Sequence, residues 1–216
     1  MAALALLSGG LDSTVAAALY AAGGGEVALG LFVDYGQRAA APERKAALAV
    51  GLALGFEVLC TDQPLLGEIT ATALVDRSCD LPEPDPQRLD DTAAASASAD
   101  AVWVPNRNGL LVNLAAAVAE ARGLDTVVVG FNAEEAVTFP DNGPRFLANL
   151  NAALADSTRG AVTVTAPTLD LTKAELLARG REAGAPVEAT WSCYGGGPEP
   201  CGRCESCLRR QRAEGP

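Results

Sequence analysis

Two short stretches hold the side chains with most chemistry to offer, and they lie at opposite ends of the chain. Near the start, Leu7-Ser8-Gly9-Gly10-Leu11-Asp12-Ser13-Thr14 runs from an apolar segment into a helical one. A glycine turn between a buried strand and a helix aims main-chain N–H groups and the positive end of the helix dipole at one point, which suits an anion. Ser8, Ser13 and Thr14 add hydroxyl donors. Asp12 alone would repel a phosphate, so its presence suggests a nucleotide carried with Mg²⁺. The plainer reading is a tight turn with Asp12 as a first-turn cap. The stretch is neither the Gly-x-x-x-x-Gly-Lys-[Ser/Thr] of a Walker A loop nor a Gly-x-Gly-x-x-Gly turn. Near the end, Cys193, Cys201, Cys204 and Cys207 give the spacing C-x₇-C-x₂-C-x₂-C. Four thiolates around one ion form the closed set of a structural zinc site. A [4Fe–4S] cluster also takes four cysteines and stays open as an alternative. Cys60 and Cys79 fall outside the pattern, and Cys60, closing an apolar run, reads as core.

What the chain lacks narrows the chemistry further. It contains no histidine, so imidazole acid–base catalysis, Ser-His-Asp triads and His metal ligands are all excluded. A net charge of −11 argues against a nucleic-acid partner, because such affinity comes largely from Lys and Arg neutralising phosphates. No apolar run approaches the roughly 18 residues of a membrane span. The opening Met1-Ala2-Ala3-Leu4-Ala5-Leu6-Leu7 has no basic flank and reads as part of the fold rather than a signal peptide, which predicts a cytoplasmic protein with reduced thiols.

The elements that must position these groups alternate in type. Short apolar runs at 2–7, 27–33, 56–59 and 126–130 read as strands, and 15–22, 43–54, 110–122, 147–155 and 173–183 as helices. Such alternation predicts an α/β fold, a parallel sheet with helices on both faces. With 216 residues there is room for one domain, or one with an appendage. Residues 76–100, rich in Pro, Asp, Ser and Ala, read as a flexible surface loop or a lid over a site. The alanine-rich helix around Leu110 and Ala119 reads as core or as an interface.

Ser8-Gly9-Gly10-x-Asp12-Ser13 after a first strand resembles the PP-loop of the adenine-nucleotide α-hydrolase superfamily, whose members bind ATP and usually adenylate a substrate. Adding Trp191-Ser192-Cys193-Tyr194 and Pro200-Cys201-Gly202-x-Cys204-x-Ser206-Cys207, the chain resembles the 7-cyano-7-deazaguanine synthase family. Asp34-Tyr35-Gly36-Gln37-Arg38, Val104-Pro105-x-Arg107-Asn108, Gly130-Phe131-Asn132-Ala133 with Phe139-Pro140-Asp141, and Leu171-Thr172-Lys173-Ala174-Glu175 supply further blocks in order. The resemblance implies a PP-loop, Rossmann-like α/β domain over residues 1–190 and a four-cysteine zinc-binding segment over 191–216 packed on it. It implies an ATP site along Leu7, Ser8, Gly9, Gly10, Leu11, Asp12, Ser13, Thr14, Val15, Ala16 and Ala17, with the end of the second strand near the adenosine. It implies conversion of 7-carboxy-7-deazaguanine and ammonia to the nitrile on the queuosine pathway, with no nucleic acid or membrane involved. Relatives are often homodimers, and with no glutaminase portion in the sequence the ammonia is expected to be free. In that chemistry Mg²⁺ at Asp12, with Arg107 and Lys173, would stabilise phosphate charge, and Trp191 would either stack on the deazapurine or fill core.

The chain also departs from the family pattern. Ala39 stands where a His is usual, and Glu43 comes one residue late after Pro42. The fourth block reads Glu135-Ala136-Val137-Thr138-Phe139-Pro140-Asp141-Asn142-Gly143-Pro144-Arg145, without the usual Tyr, Ser, Cys and Arg. Asp170 replaces another His. A relative acting on a different acid, one stopping at the amide, and a non-enzymatic nucleotide-binding module are the alternatives these departures leave.

Overall fold

The computed structural model describes residues 1–215. The apolar run at the start forms β1 (Ala2–Leu6), followed by α1 (Leu11–Ala22), β2 (Glu26–Asp34), α2 (Ala40–Leu54), β3 (Glu57–Asp62) and α3 (Leu65–Ile69). Next come α4 (Thr92–Val102), α5 (Arg107–Ala121), β4 (Thr126–Val128), α6 (Pro144–Ser157), β5 (Thr163–Thr165), α7 (Lys173–Glu182) and α8 (Glu205–Glu214). The strands form one sheet in the order β3-β2-β1-β4-β5, and every neighbouring pair is parallel.

Both faces of the sheet are covered, which is why its strands lack polar alternation. Leu4, Leu31, Val33, Val127 and Val129 point to one side, against Val112, Ala115 and Ala116 of α5 and Leu150 and Leu154 of α6. Ala5, Leu7 and Phe32 point to the other, against Ala17 of α1 and Ala47 and Val50 of α2. Leu4, Leu31 and Phe32 are fully buried, each side chain stabilising the fold by roughly 1.5–3 kcal/mol. The alanine-rich α5 is therefore core along its sheet-facing side. Helix α7 lies outside α1, with Leu176 and Leu177 against Leu11 and Val15. A Cβ on Gly180 would come 2.5 Å from Val15, so glycine permits that close approach.

From β1 the chain steps to β2 on one side, and β4 pairs with β1 on the other. In an open parallel sheet, ligands bind beyond the carboxyl ends of the strands where the order reverses in this way. Here that point is bounded by Leu7-Ser8 and Val129-Gly130, so topology alone directs attention to the Ser-Gly-Gly turn.

Three segments correct the expectations. Residues 76–100 divide: 76–91 are irregular apart from one short helical turn at Pro86–Arg88, and the rest is the start of α4. Asp91 caps α4, accepting from Ala94 N at 2.9 Å, and Ala95, Ser98, Ala99 and Val102 are buried. Leu89 is buried as well, and among the described residues none of 76–100 lines the central cleft, so this segment does not cover it. Strand β5 had no counterpart in the pattern. Cys60 is only half-buried, on an edge strand against the Phe32 cluster. Among the described residues no helix is long and apolar enough to cross a membrane.

Candidate active site

At the switch between β1 and β4 a cleft of about 260 Å³ opens. Leu7, Ser8, Gly10, Leu11, Asp12 and Ser13 form one wall. The turn is held by its own hydroxyls. Ser8 and Ser13 Oγ atoms lie 3.1 Å apart, Ser8 N donates to Ser13 Oγ at 3.2 Å, and Thr14 Oγ1 donates to the Gly10 carbonyl at 2.8 Å. Helix α1 has no side-chain cap, and its first N–H groups have no partner within the helix. They stand at the wall of the cleft. Gly9 adopts φ +75°, and a Cβ there would come 2.3 Å from the Glu43 carbonyl oxygen, so the turn lies directly on the start of α2. A Cβ on Gly130 would meet Ser13 N at 2.5 Å, so the end of β4 presses on the turn from the other side.

Val15, Ala16 and Ala17, at the end of the expected nucleotide-binding stretch, are fully buried and lie outside the cleft. Val15 packs on α7 and Ala16 on Ala3 and Val128; both brace the turn from behind. Phe32, Val33 and Tyr35 at the end of β2 do line the cleft. Asp34 faces away, toward Arg44 at 3.6 Å.

The structure brings Asp12, Lys173 and Arg107 to this one cleft from three distant parts of the sequence. Lys173 opens α7, where Thr172 and Glu175 form a capping box. Its Nζ lies 2.6 Å from Asp12 Oδ2 and 3.4 Å from Glu135 Oε1. Burial works against the ammonium charge, but the Asp12 and Glu135 carboxylates outweigh it and hold the Lys173 pKa above its ordinary value. Burial likewise raises Asp12, with Lys173 opposing the shift. Asp12 Oδ1 is buried without a hydrogen-bond partner. An orphaned carboxylate oxygen is a hard ligand of the kind a divalent cation takes, while the free helix amides suit the phosphate it would accompany. Arg107 follows Asn106, which takes a left-handed φ of 52°. Its guanidinium lies over the Tyr35 ring, 6.0 Å from the centroid, and is steered by Asn108 Oδ1 at 3.2 Å.

Phe139, Asn142 and Glu135 of the divergent fourth block face the cleft, whereas Arg145 and Asp170 are exposed and lie outside it. The departures thus divide: Glu135 and Asn142 line the cleft, and Arg145 and Asp170 do not. Trp191 and Tyr194 close the cleft beside the turn. Trp191 N donates to the Gly9 carbonyl at 2.8 Å and its indole N–H to the Cys193 carbonyl at 2.8 Å. Half-buried at the rim, Trp191 ties the turn to the cysteine segment.

The four late cysteines converge, their Sγ atoms all within 4.8 Å of one another. A tetrahedral zinc with Zn–S near 2.3 Å needs sulfurs about 3.8 Å apart, so the set fits such an ion. Cys193, Cys204 and Cys207 are buried and Cys201 is exposed. Cys204 starts α8, whose arginines reach back into the fold. Arg209, buried, donates to Glu205 at 2.9 Å, Glu134 at 2.7 Å and the Leu89 carbonyl at 2.9 Å. Glu134 in turn accepts from Lys173 N at 3.1 Å. Arg210 lines the cleft and donates to Thr190 Oγ1 at 2.6 Å and the Val187 carbonyl at 3.1 Å. This bracing went unforeseen, since nothing local links residues more than seventy apart such as Glu134 and Arg209.

A family model described as queuosine biosynthesis protein QueC matches residues 2–214. A protein of Pelotomaculum thermopropionicum named 7-cyano-7-deazaguanine synthase is 49% identical over 99% of this chain and 96% of its own length. One of the same name from Desulforudis audaxviator is 49% identical over 99% and 96%. Another, from Methanosarcina mazei, is 45% identical over 99% and 93%.

Proposed function

We propose, from the premise that the chain belongs to the QueC family of queuosine biosynthesis proteins, that it is an ATP-dependent ligase making 7-cyano-7-deazaguanine from 7-carboxy-7-deazaguanine and ammonia. The observation that carries this reading is the convergence of Asp12, Lys173 and Arg107 on one cleft beside a turn with free helix amides. A carboxylate lacks a leaving group, and ATP supplies one by forming an acyl–phosphate anhydride, adenylyl or phosphoryl. Ammonia displaces it to give the amide. A second activation, on the amide oxygen, permits closure to the nitrile.

The chain's part is positioning and charge compensation rather than covalent attack. The amides of Leu11, Asp12 and Ser13 and the hydroxyls of Ser8 and Ser13 bind the phosphate end of the nucleotide. Phe32, Val33 and Tyr35 flank its adenosine. Mg²⁺ at Asp12 supplies further neutralisation of phosphate charge. Lys173, kept protonated by its carboxylate partners, offers a fixed positive charge beside Asp12, and Arg107 offers a second across the cleft. Phe139, Trp191 and Tyr194 give aromatic walls suited to a deazapurine. The four-cysteine segment over residues 191–216 carries Zn²⁺ as a closed structural crosslink, matching the compactness of the four thiols, and residues 1–190 form the nucleotide-binding domain on which it packs. Four reduced thiols fit a cytoplasmic enzyme.

Incubation with the carboxy-deazaguanine, ATP and ammonia, read by mass spectrometry, is expected to show the nitrile. A stable amide, or ATP binding without turnover, would replace this reading with one of the alternatives. Gly130→Ala is expected to raise the Kd for ATP at least about tenfold, or ~1.4 kcal/mol, because the new methyl displaces the Ser13 backbone. Titration calorimetry checks it, and unchanged affinity would remove the turn from the nucleotide site.

A further inference from the structure

Glu43 is a cleft residue to which the reading above gives no task. It stands in the first turn of α2, its backbone carbonyl against Gly9, and its side chain lines the same cleft as Ser8, Asp12 and Arg107. Its orientation is fixed. Gln37 Oε1 accepts from Tyr35 N at 2.8 Å, which turns the Gln37 amide nitrogen toward Glu43 Oε2, also at 2.8 Å. Gln37 therefore occupies Oε2, and among the described residues Oε1 has no hydrogen-bond partner.

We propose that Glu43 is a catalytic residue of the amidation step, binding ammonium in the cleft and accepting a proton from it. The inference rests on the ligase reading. Near neutral pH ammonia exists mainly as ammonium, which has no lone pair for attack. An oriented carboxylate with one free oxygen, beside a phosphate-binding turn, both attracts that cation and can take a proton from it. The N–H electron pair stays on nitrogen as ammonia, and Glu43 becomes the neutral acid. The nitrogen then bonds to the acyl carbon while the bond from that carbon to the phosphate oxygen breaks, and the phosphate leaves with the electron pair. A second proton passes from the new C–N adduct to the departing phosphate, and Glu43 returns its own to water through the open cleft.

The surroundings suit this task. Burial pushes the Glu43 carboxyl up to about 7, with Gln37 and Arg107 of α5 opposing and Asp34 of β2 adding to the shift. A general base works best with a pKa near the working pH. Glu43 is thus a base above about pH 7 and a spent acid below it.

Hydroxylamine separates this role from a structural one, because at neutral pH it is largely unprotonated and needs no base to free its lone pair. Glu43→Gln keeps the shape and is expected to lower kcat/KM for ammonium at pH 7 by about 100-fold or more, the usual scale of general-base catalysis. Its kcat/KM for hydroxylamine, read as hydroxamate, should fall much less, and the ammonium deficit should shrink as pH rises and free ammonia accumulates. Glu43→Asp, with the carboxyl one methylene back, should show an intermediate ammonium loss with hydroxylamine again spared. Equal losses for both nucleophiles, or no loss for ammonium, would overturn the role. A wild-type enzyme inactive with both would overturn the ligase reading and this inference with it.

Discussion

Asp12→Asn is expected to lower turnover by at least about 10²–10³-fold, the cost of removing one preorganised electrostatic group from a charged transition state. The substitution is nearly isosteric. The introduced carboxamide would keep an oxygen for the Lys173 ammonium, and Lys173 would keep Glu135 at 3.4 Å. The removed feature is the negative charge at the orphaned Oδ1, the atom suited to a divalent cation. Packing around Leu11 and Val15 is untouched, so circular dichroism and the melting transition should stay close to wild type while kcat collapses. A fully active Asp12→Asn would reduce Asp12 to a helix-start residue and take Mg²⁺ away from this position.

Cys204→Ala is expected to abolish stoichiometric metal and to lower the melting temperature sharply. Cys204 is 1% exposed and begins α8, so the ligand and the helix start are lost together. Structural zinc binding reaches ~10–16 kcal/mol in small zinc-finger domains. Losing even about 4 kcal/mol in a chain of this length moves the transition by roughly 8–16 °C. Activity should fall too, since α8 holds Glu134 through Arg209 and Glu134 holds the start of α7, which carries Lys173. Metal analysis and calorimetry of the purified variant check this together. One zinc per chain retained by Cys204→Ala would remove that thiol from the ligand set, and iron in the wild type would restore the cluster reading.

The Ser-Gly-Gly turn and the cysteine set were legible in the sequence because each is local: a few adjacent residues specify the geometry. Their meeting in one structure was not local, yet the order of motif blocks carried it, and Lys173 and Arg107 do reach Asp12's cleft. What escaped depends on distant partners. Helix α4 is mostly Ala and Ser flanked by acidic and proline-rich residues, and its burial, with Ala99 and Val102 clustered with Leu66, Leu74 and Phe139 and Ser98 bonded to Glu205, comes from tertiary contact rather than periodicity. Strand β5 is a single valine between two threonines, so unlike the Val127–Val129 run at β4 it offers no apolar stretch to read. Helix α8 is strongly polar and is held by the Cys204 start and by buried ion pairs from Arg209. Glu43 was visible as a displaced acid in the second motif, but its function depends on Gln37 turning it and on Gly9 lying against its carbonyl. The fourth block looked altered on both sides of Phe139-Pro140-Asp141. Only the fold separates Glu135, which pairs with Lys173, from the exposed Arg145.

The central claim is that this cleft uses ATP to remove both oxygens of a carboxylate. It is tested most directly with 7-carboxy-7-deazaguanine labelled with oxygen-18 in its carboxyl group, turned over with ATP and ammonia, and with the nucleotide and phosphate products weighed by mass spectrometry. The account predicts an unlabelled nitrile and two labelled oxygens on phosphorus for each nitrile formed, one from each activation. Label released into water, or phosphate products that carry none, would contradict it.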